Sequence, residues 1–304
     1  MSVNHPARAL TLLVGDNPFH GISHLSKERS RTRGSEISQV DFAAKLVMDS
    51  IQNGASGFMF SVSERTLSIL KTIRKKKGAI NFELYPIVPY AYEYVRLATQ
   101  TGGIPGLAKK MVKEIVFSMN LKAIATGLKG VVKTDLTALM KTYVLYEISR
   151  IKSSTGRGTK ISSILLHEII TEMALALKLD WFVRSYIEFV SGIGIKPGFE
   201  TRNFAYLVRT FREWNINFRD VLVAAPFNKA GFQMNPSRVE CEKALAEVTE
   251  SSVIAMSILA AGYFKLPEAV NYVKSLPNLK GVVVGVSNER HANETFKTLK
   301  LELQ

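Results

Sequence analysis

Along this chain, short runs of β-branched and other apolar residues alternate with longer stretches in which apolar residues recur at helical spacing. Runs that are apolar at nearly every position predict strands covered on both faces, and their alternation with amphipathic helices predicts βα units around a parallel sheet. Eight strands are predicted: Leu10–Gly15, Ser56–Phe60, Ile80–Ile87, Ile161–Leu166, Ile193–Pro197, Asp220–Ala225, Ser252–Ser257 and Lys280–Val286. Helices are predicted over Gln39–Asn53, Glu64–Lys77, Asn203–Asn215, Ser237–Glu250, Pro267–Leu276 and Glu289–Leu299, with Pro236-Ser237 and Leu266-Pro267 reading as helix starts. Eight such units in order make an α/β chain of the (β/α)8 TIM-barrel class, a single domain over residues 1–304. A doubly wound open sheet is the rival, but its first strand usually ends in a Gly-rich phosphate turn. Here that turn reads Gly15-Asp16-Asn17-Pro18.

The spacing breaks once, between strands three and four, where far more chain intervenes than the roughly 30 residues of an ordinary unit. One helix near Asp135–Lys152, with Thr134 and Asp135 as its cap, serves as the third barrel helix. Residues 90–133 are then a helical insertion at the carboxyl-terminal rim. Within it, Leu107, Met111, Ile115 and Leu121 against Lys109, Lys110, Lys113 and Lys122 make an amphipathic, basic helix near Pro105–Thr126. Residues 105–127 could act as a lid, a homo-oligomer contact or a polyanion-binding face.

Charge sharpens that picture. The formal net charge is +14, and residues 1–160 hold 24 Lys and Arg against 11 Asp and Glu, whereas residues 161–304 are almost balanced at 16 and 15. Residues 102–160 alone hold 11 basic and 3 acidic residues. Such a face attracts nucleic acid, anionic membranes or phosphorylated ligands, or is simply a solvated helical surface. At 46% hydrophobic the chain has ample material for a core, which excludes a disordered protein. The single cysteine, Cys241, excludes an internal disulfide and a cysteine-cluster metal site, and suits a reducing cytoplasm. No stretch reaches the ~18 apolar residues of a membrane span, so the expectation is a cytoplasmic protein without membrane contact.

In a TIM barrel, chemistry sits where strands end. The loop after strand one, Gly15 to His24, packs Asp16, Asn17, His20 and His24 into ten residues. His20 and His24, four apart, can face one way and hold a divalent metal with Asp16, or form a base with its orienting carboxylate. The alternative is a turn capped by Asp16 with packed histidines. Strand four ends in Leu166-His167-Glu168, which places His167 for acid-base work or ligation, with Glu168 beside it or capping a helix. Lys196 is a candidate cation or Schiff-base amine, and Glu200 a binding group or base, or no more than a helix cap. Asn228 and Lys229 follow strand six as an amide and an amine, while Glu83 inside strand three requires a partner such as Lys196 or a metal. Strand eight leads through Gly285, Ser287, Asn288 and Arg290 into a helix, a place where free amides and the helix dipole receive a phosphate, or where Asn288 is an ordinary cap.

From about residue 193 onward the order of these pieces resembles the aldo-keto reductase superfamily. Asn228 after strand six is similar to the family's Asn, and Ser257-Ile258-Leu259-Ala260-Ala261-Gly262 to its Ser-Pro-Leu-x-x-Gly. Gly285 to Glu294 resembles the segment that holds the cofactor phosphate, and Leu165-Leu166-His167 the end of the family's strand four, whose His belongs to the catalytic tetrad. The tetrad's Asp and Tyr would follow strand two, where this chain has Phe60-Ser61-Val62-Ser63-Glu64-Arg65, and its Lys would end strand three, where it has Tyr85-Pro86-Ile87. Only the His has a counterpart. The resemblance implies the barrel and an NADP-dependent reduction with an altered proton donor, for example His167.

Three functions are therefore open. The first is an enzyme acting on a small anionic, phosphorylated substrate, its phosphate on Gly285, Ser287, Asn288 and Arg290. Catalysis would come from Asp16, His20, His24, His167 and Lys196, with Asn17, Glu83, Glu200, Asn228 and Lys229 around the substrate. The second is an NAD(P)H-dependent oxidoreductase of aldo-keto reductase type. The third is a nucleic-acid-associated or non-catalytic protein using segment 102–160 with Lys27, Arg29, Arg31, Arg33 and Arg74–Lys77, although no recognisable nucleic-acid-binding motif is present.

Overall fold

The computed structural model describes residues 9–20, 39–89, 136–156, 158–250 and 252–304. The 90–133 insertion, His24, the Thr134/Asp135 cap and the Lys27–Arg33 cluster lie outside the described residues. Eight parallel strands close into a barrel in chain order: β1 (Thr11–Gly15), β2 (Gly57–Ser61), β3 (Glu83–Val88), β4 (Ser163–Leu166), β5 (Lys196–Glu200), β6 (Leu222–Pro226), β7 (Val253–Met256) and β8 (Leu279–Gly285). The helices among the described residues are α1 (Val40–Gln52), α2 (Glu64–Lys77), α3 (Leu136–Thr155), α4 (Glu168–Ala176), α5 (Asp180–Gly192), α6 (Phe204–Glu213), α7 (Arg238–Glu247), α8 (Leu266–Ser275) and α9 (Glu289–Leu303). This is the (β/α)8 TIM barrel that the pattern predicts. Among the described residues no helix is long and apolar enough to cross a membrane.

The strands carry apolar residues on both faces because both are buried. Leu13, Met59, Ile87, Leu165, Leu222, Ala224, Ile254 and Val283 pack inside the barrel. Their neighbours, including Leu12, Phe58, Phe60, Phe199 and Val282, pack outward against the helices. Phe199 shows the scale: it is fully buried, with Tyr186 and Phe211 edge-on at centroid distances of 5.4 and 5.1 Å. Truncating such a ring costs about 3–5 kcal/mol. Helix starts follow local chemistry as well. Ser63 accepts from the Thr66 amide while Thr66 Oγ1 accepts from the Ser63 amide, which is why α2 begins at Glu64.

Two strands begin three residues later than the pattern predicts, β3 at Glu83 instead of Ile80 and β5 at Lys196 instead of Ile193. The run Ile193-Gly194-Ile195 closes α5 instead of opening β5: Gly194 takes φ +78°, its amide donates to Ser191 O, and the Ile195 amide reaches back to Val190 O. This is a left-handed helix stop with its apolar follower, so the strand begins three residues later, at Lys196. The same stop recurs after α1, α4 and α6, with Gly54, Lys178 and Asn215 in the left-handed position.

Candidate active site at the carboxyl ends of the strands

β1 ends at Gly15, and Asp16 follows it into the barrel mouth, 4% exposed. The short helical turn Asn17–His20 is closed by the Phe19 amide donating to Asp16 O at 2.8 Å. Phe19 anchors this turn in the core, and Arg65 holds its carbonyl at 2.6 Å. The turn brings His20 back over Asp16, with Nε2 3.0 Å from Oδ2. Oδ2 also accepts from the Ser61 amide at 2.7 Å, so Asp16 ties the end of β1 to the end of β2. Asn17 itself is exposed.

β4 ends one residue before His167, whose amide donates to Val88 O of β3 at 2.8 Å. His167 caps α4: its Nδ1 accepts from the Ile169 amide at 3.2 Å. An accepting Nδ1 puts the ring proton on Nε2. Burial, reinforced by the Arg202 guanidinium, holds this imidazole below its ordinary pKa despite the opposing Glu168 and Asp16 charges. It is therefore a neutral ring offering an Nε2–H.

β5 ends at Glu200. Its Oε2 accepts the Glu168 amide at 3.3 Å, the first amide of α4. Enclosure, together with the Glu168 and Asp16 charges, pushes the Glu200 carboxyl up to about 8, against the weaker pull of the Glu168 amide and of Arg202. Arg202 forms an ion pair with Glu168, its Nε 2.5 Å from Oε2. The loop after β5 is pinned to α4 by Glu172, whose Oε1 accepts from Thr201 Oγ1 at 2.7 Å and from the Arg202 and Asn203 amides at 3.0 and 3.2 Å.

Asp16, His20, His167 and Glu200 thus converge at one rim, as position at strand ends predicts. Glu168 enters as the partner of Arg202, and neither that pair nor the Glu172 clamp is visible in sequence, since each joins residues from different elements. Among the described residues no group of three or more His, Cys, Asp or Glu is arranged to hold a metal ion. The candidate ligands Asp16 and His20 are joined to each other, and His24 lies outside the described residues.

Other candidates are placed elsewhere. Lys196 opens β5 instead of ending it, at the opposite end of the barrel, where its ammonium donates to Arg219 O at 2.6 Å. The three-residue strand shift accounts for this displacement. Burial, with Lys280 nearby, lowers its pKa despite Asp220. Glu83 likewise opens β3 at that far end, and its partners are Lys160 and the Tyr85 hydroxyl at 2.7 Å, not Lys196. Although burial pushes its carboxyl up, Lys160 and Tyr85 together hold it below the ordinary value. Asn228 is fully buried and clamps its own loop, accepting from the Phe232 amide at 2.8 Å and donating to Phe232 O at 2.9 Å. Lys229 is exposed, with Arg238 on its carbonyl at 2.5 Å.

At β8 the Asn288 side chain caps α9, accepting from the His291 amide at 2.8 Å, and exposed Arg290 pairs with Glu294 at 2.8 Å. Gly285 answers to packing, because a Cβ there would stand 2.7 Å from Pro18 Cδ. These contacts explain the three residues without a phosphate. Nearby, Ser287 precedes the first turn of α9, and in the loop after β7 Ser257, Ala260 and Ala261 take φ of +54°, +44° and +61°.

The chain has a (β/α)8 TIM-barrel fold. No family model and no curated protein matches it. Among solved structures it is similar to two described as a "putative aldo-keto reductase" from Pseudomona aeruginosa. Each is 12% identical with a TM-score of 0.59, over 97% of this chain and 92% or 91% of the other.

Proposed function

We propose that this protein is a cytoplasmic NAD(P)H-dependent oxidoreductase of aldo-keto reductase type with an altered tetrad, reducing a small carbonyl substrate. One observation carries the reading: Asp16 brings a carboxylate to the end of β2, where the resemblance expects the tetrad's Asp, while His167 directly follows β4 at the expected place of its His. The carboxylate arrives from β1 instead of β2, held by the Ser61 amide. Ser287, the first amides of α9 and the Ser257–Gly262 loop would hold the cofactor phosphates, and the bound nicotinamide would supply hydride. Neutral His167 would hold the carbonyl oxygen by a hydrogen bond from Nε2–H without giving up that proton, and Asp16 would orient His20 beside it. The phosphorylated-substrate reading has no comparable support, since Asn288 and Arg290 already have partners in the chain.

Fluorescence titration with NADPH and NADH tests the reading. Binding of either, with carbonyl-dependent nucleotide oxidation that falls about 10²-fold or more in His167→Ala, is expected. No binding of either nucleotide at millimolar concentration refutes it.

A further inference from the structure

The end of β5 holds a group for which the resemblance supplies no role. Glu200 has one carboxyl oxygen on the Glu168 amide, and its second has no partner among the described residues. That second oxygen is not sealed from solvent. The charged groups that act on this carboxyl are Glu168 at the start of α4, Asp16 after β1 and Arg202 in its own loop, and the same three act on His167. Arg202 is engaged by Glu168, which leaves the Glu200 carboxyl facing two carboxylates without a cation of its own. A carboxyl so placed keeps its proton at neutral pH. His167 cannot supply that proton as readily: burial keeps it neutral, and its Nδ1 is committed to a backbone amide.

We propose that Glu200 is the general acid-base residue of this site, giving its proton to the substrate oxygen in reduction and taking it back in the reverse direction. The proposal rests on the reductase reading. The carbonyl carbon gains a hydride with its electron pair from a dihydronicotinamide donor, which is oxidised. The C=O π pair moves to oxygen, and a new O–H bond forms as the Glu200 O–H breaks. Glu200 is left as a carboxylate and is reprotonated from solvent.

Two measurements on the full chain test this. Infrared difference spectra between wild type and Glu200→Gln read the carboxyl directly, without cofactor or substrate. The proposal expects a protonated-carboxyl band, absent in the variant, that disappears with a midpoint near pH 8. The second measurement is the pH profile of carbonyl reduction. Glu200→Gln is expected to lower the rate about 10²–10⁴-fold and to lose the alkaline fall, with NADPH affinity unchanged. Glu200→Asp is expected to restore part of the rate and the alkaline fall with it. A carboxyl already ionised at about pH 6, or a Gln variant with wild-type rate and profile, overturns the assignment. Failure of wild type to bind nucleotide overturns the reductase reading and the hydride-coupled step, and the infrared midpoint distinguishes that result from an error about Glu200 itself.

Discussion

A carboxyl that keeps its proton when folded and loses it when unfolded makes stability depend on pH in a direction opposite to most acids. For Glu200 the folded value is about 8 against an ordinary 4.5. Between these values the unfolded chain has released the proton and the native chain has not, so unfolding is favoured progressively as pH rises. The favourable contribution is complete below about pH 4.5, is lost across the window, and changes no further above about pH 8. At about 1.4 kcal/mol per pH unit of separation, the upper limit is about 5 kcal/mol, and entry of water on ionisation brings the expected loss to the order of 3 kcal/mol. That is a large fraction of the roughly 5–15 kcal/mol by which domains are usually stable. Glu200→Gln keeps the shape of the protonated acid and cannot ionise, so it escapes the loss. Urea unfolding of both proteins at about pH 5, 6.5, 8 and 9 isolates the effect, because the other titrating groups are shared and largely cancel. The Gln variant should gain on wild type steadily with pH. A difference that stays constant within about 0.5 kcal/mol across the series would refute the reasoning, whatever its sign at one pH.

Two further outcomes follow from the packing. Gly194→Ala should cost about 1 kcal/mol, since a Cβ there meets nothing within 4 Å and only the left-handed backbone is strained, whereas Gly198→Ala should cost about 3 kcal/mol because its Cβ would stand 2.6 Å from Leu165 Cγ and 2.8 Å from Ser163 Oγ; thermal melts rank the pair. Glu172→Gln should cost about 2 kcal/mol and speed hydrogen exchange at the Arg202 and Asn203 amides, leaving exchange in β1 unchanged.

The barrel is legible because strands buried on both faces must be apolar at almost every position, a signal as plain in Val282-Val283-Val284 as in Leu222-Val223-Ala224-Ala225. The start of β5 is not, because Ile193 and Ile195 are apolar for another reason, as flanks of a left-handed helix stop, and a strand read three residues early carries Lys196 to the wrong end of the barrel with it. Asp16, His20, His167 and Glu200 can be found because a strand end is a positional signal. Their partners cannot: that Ser61 meets Asp16, or that Glu172 gathers the loop after β5, depends on how separate elements pack. Nor does sequence distinguish an Asn288 that caps a helix from one that faces a ligand.

The contact between Pro18 and Gly285 has a consequence for the order of events in synthesis. The turn that carries Asp16 and His20 is made before the other seven strands of the barrel, yet it is seated on the last residue of the last strand, and β1 is further tied to the end of α9 through the Leu10 amide and Leu303 O. These residues of the site therefore wait for the whole barrel before their seat exists, and a chain cut short before β8 would carry every acid-base group named above without the surface that aligns them.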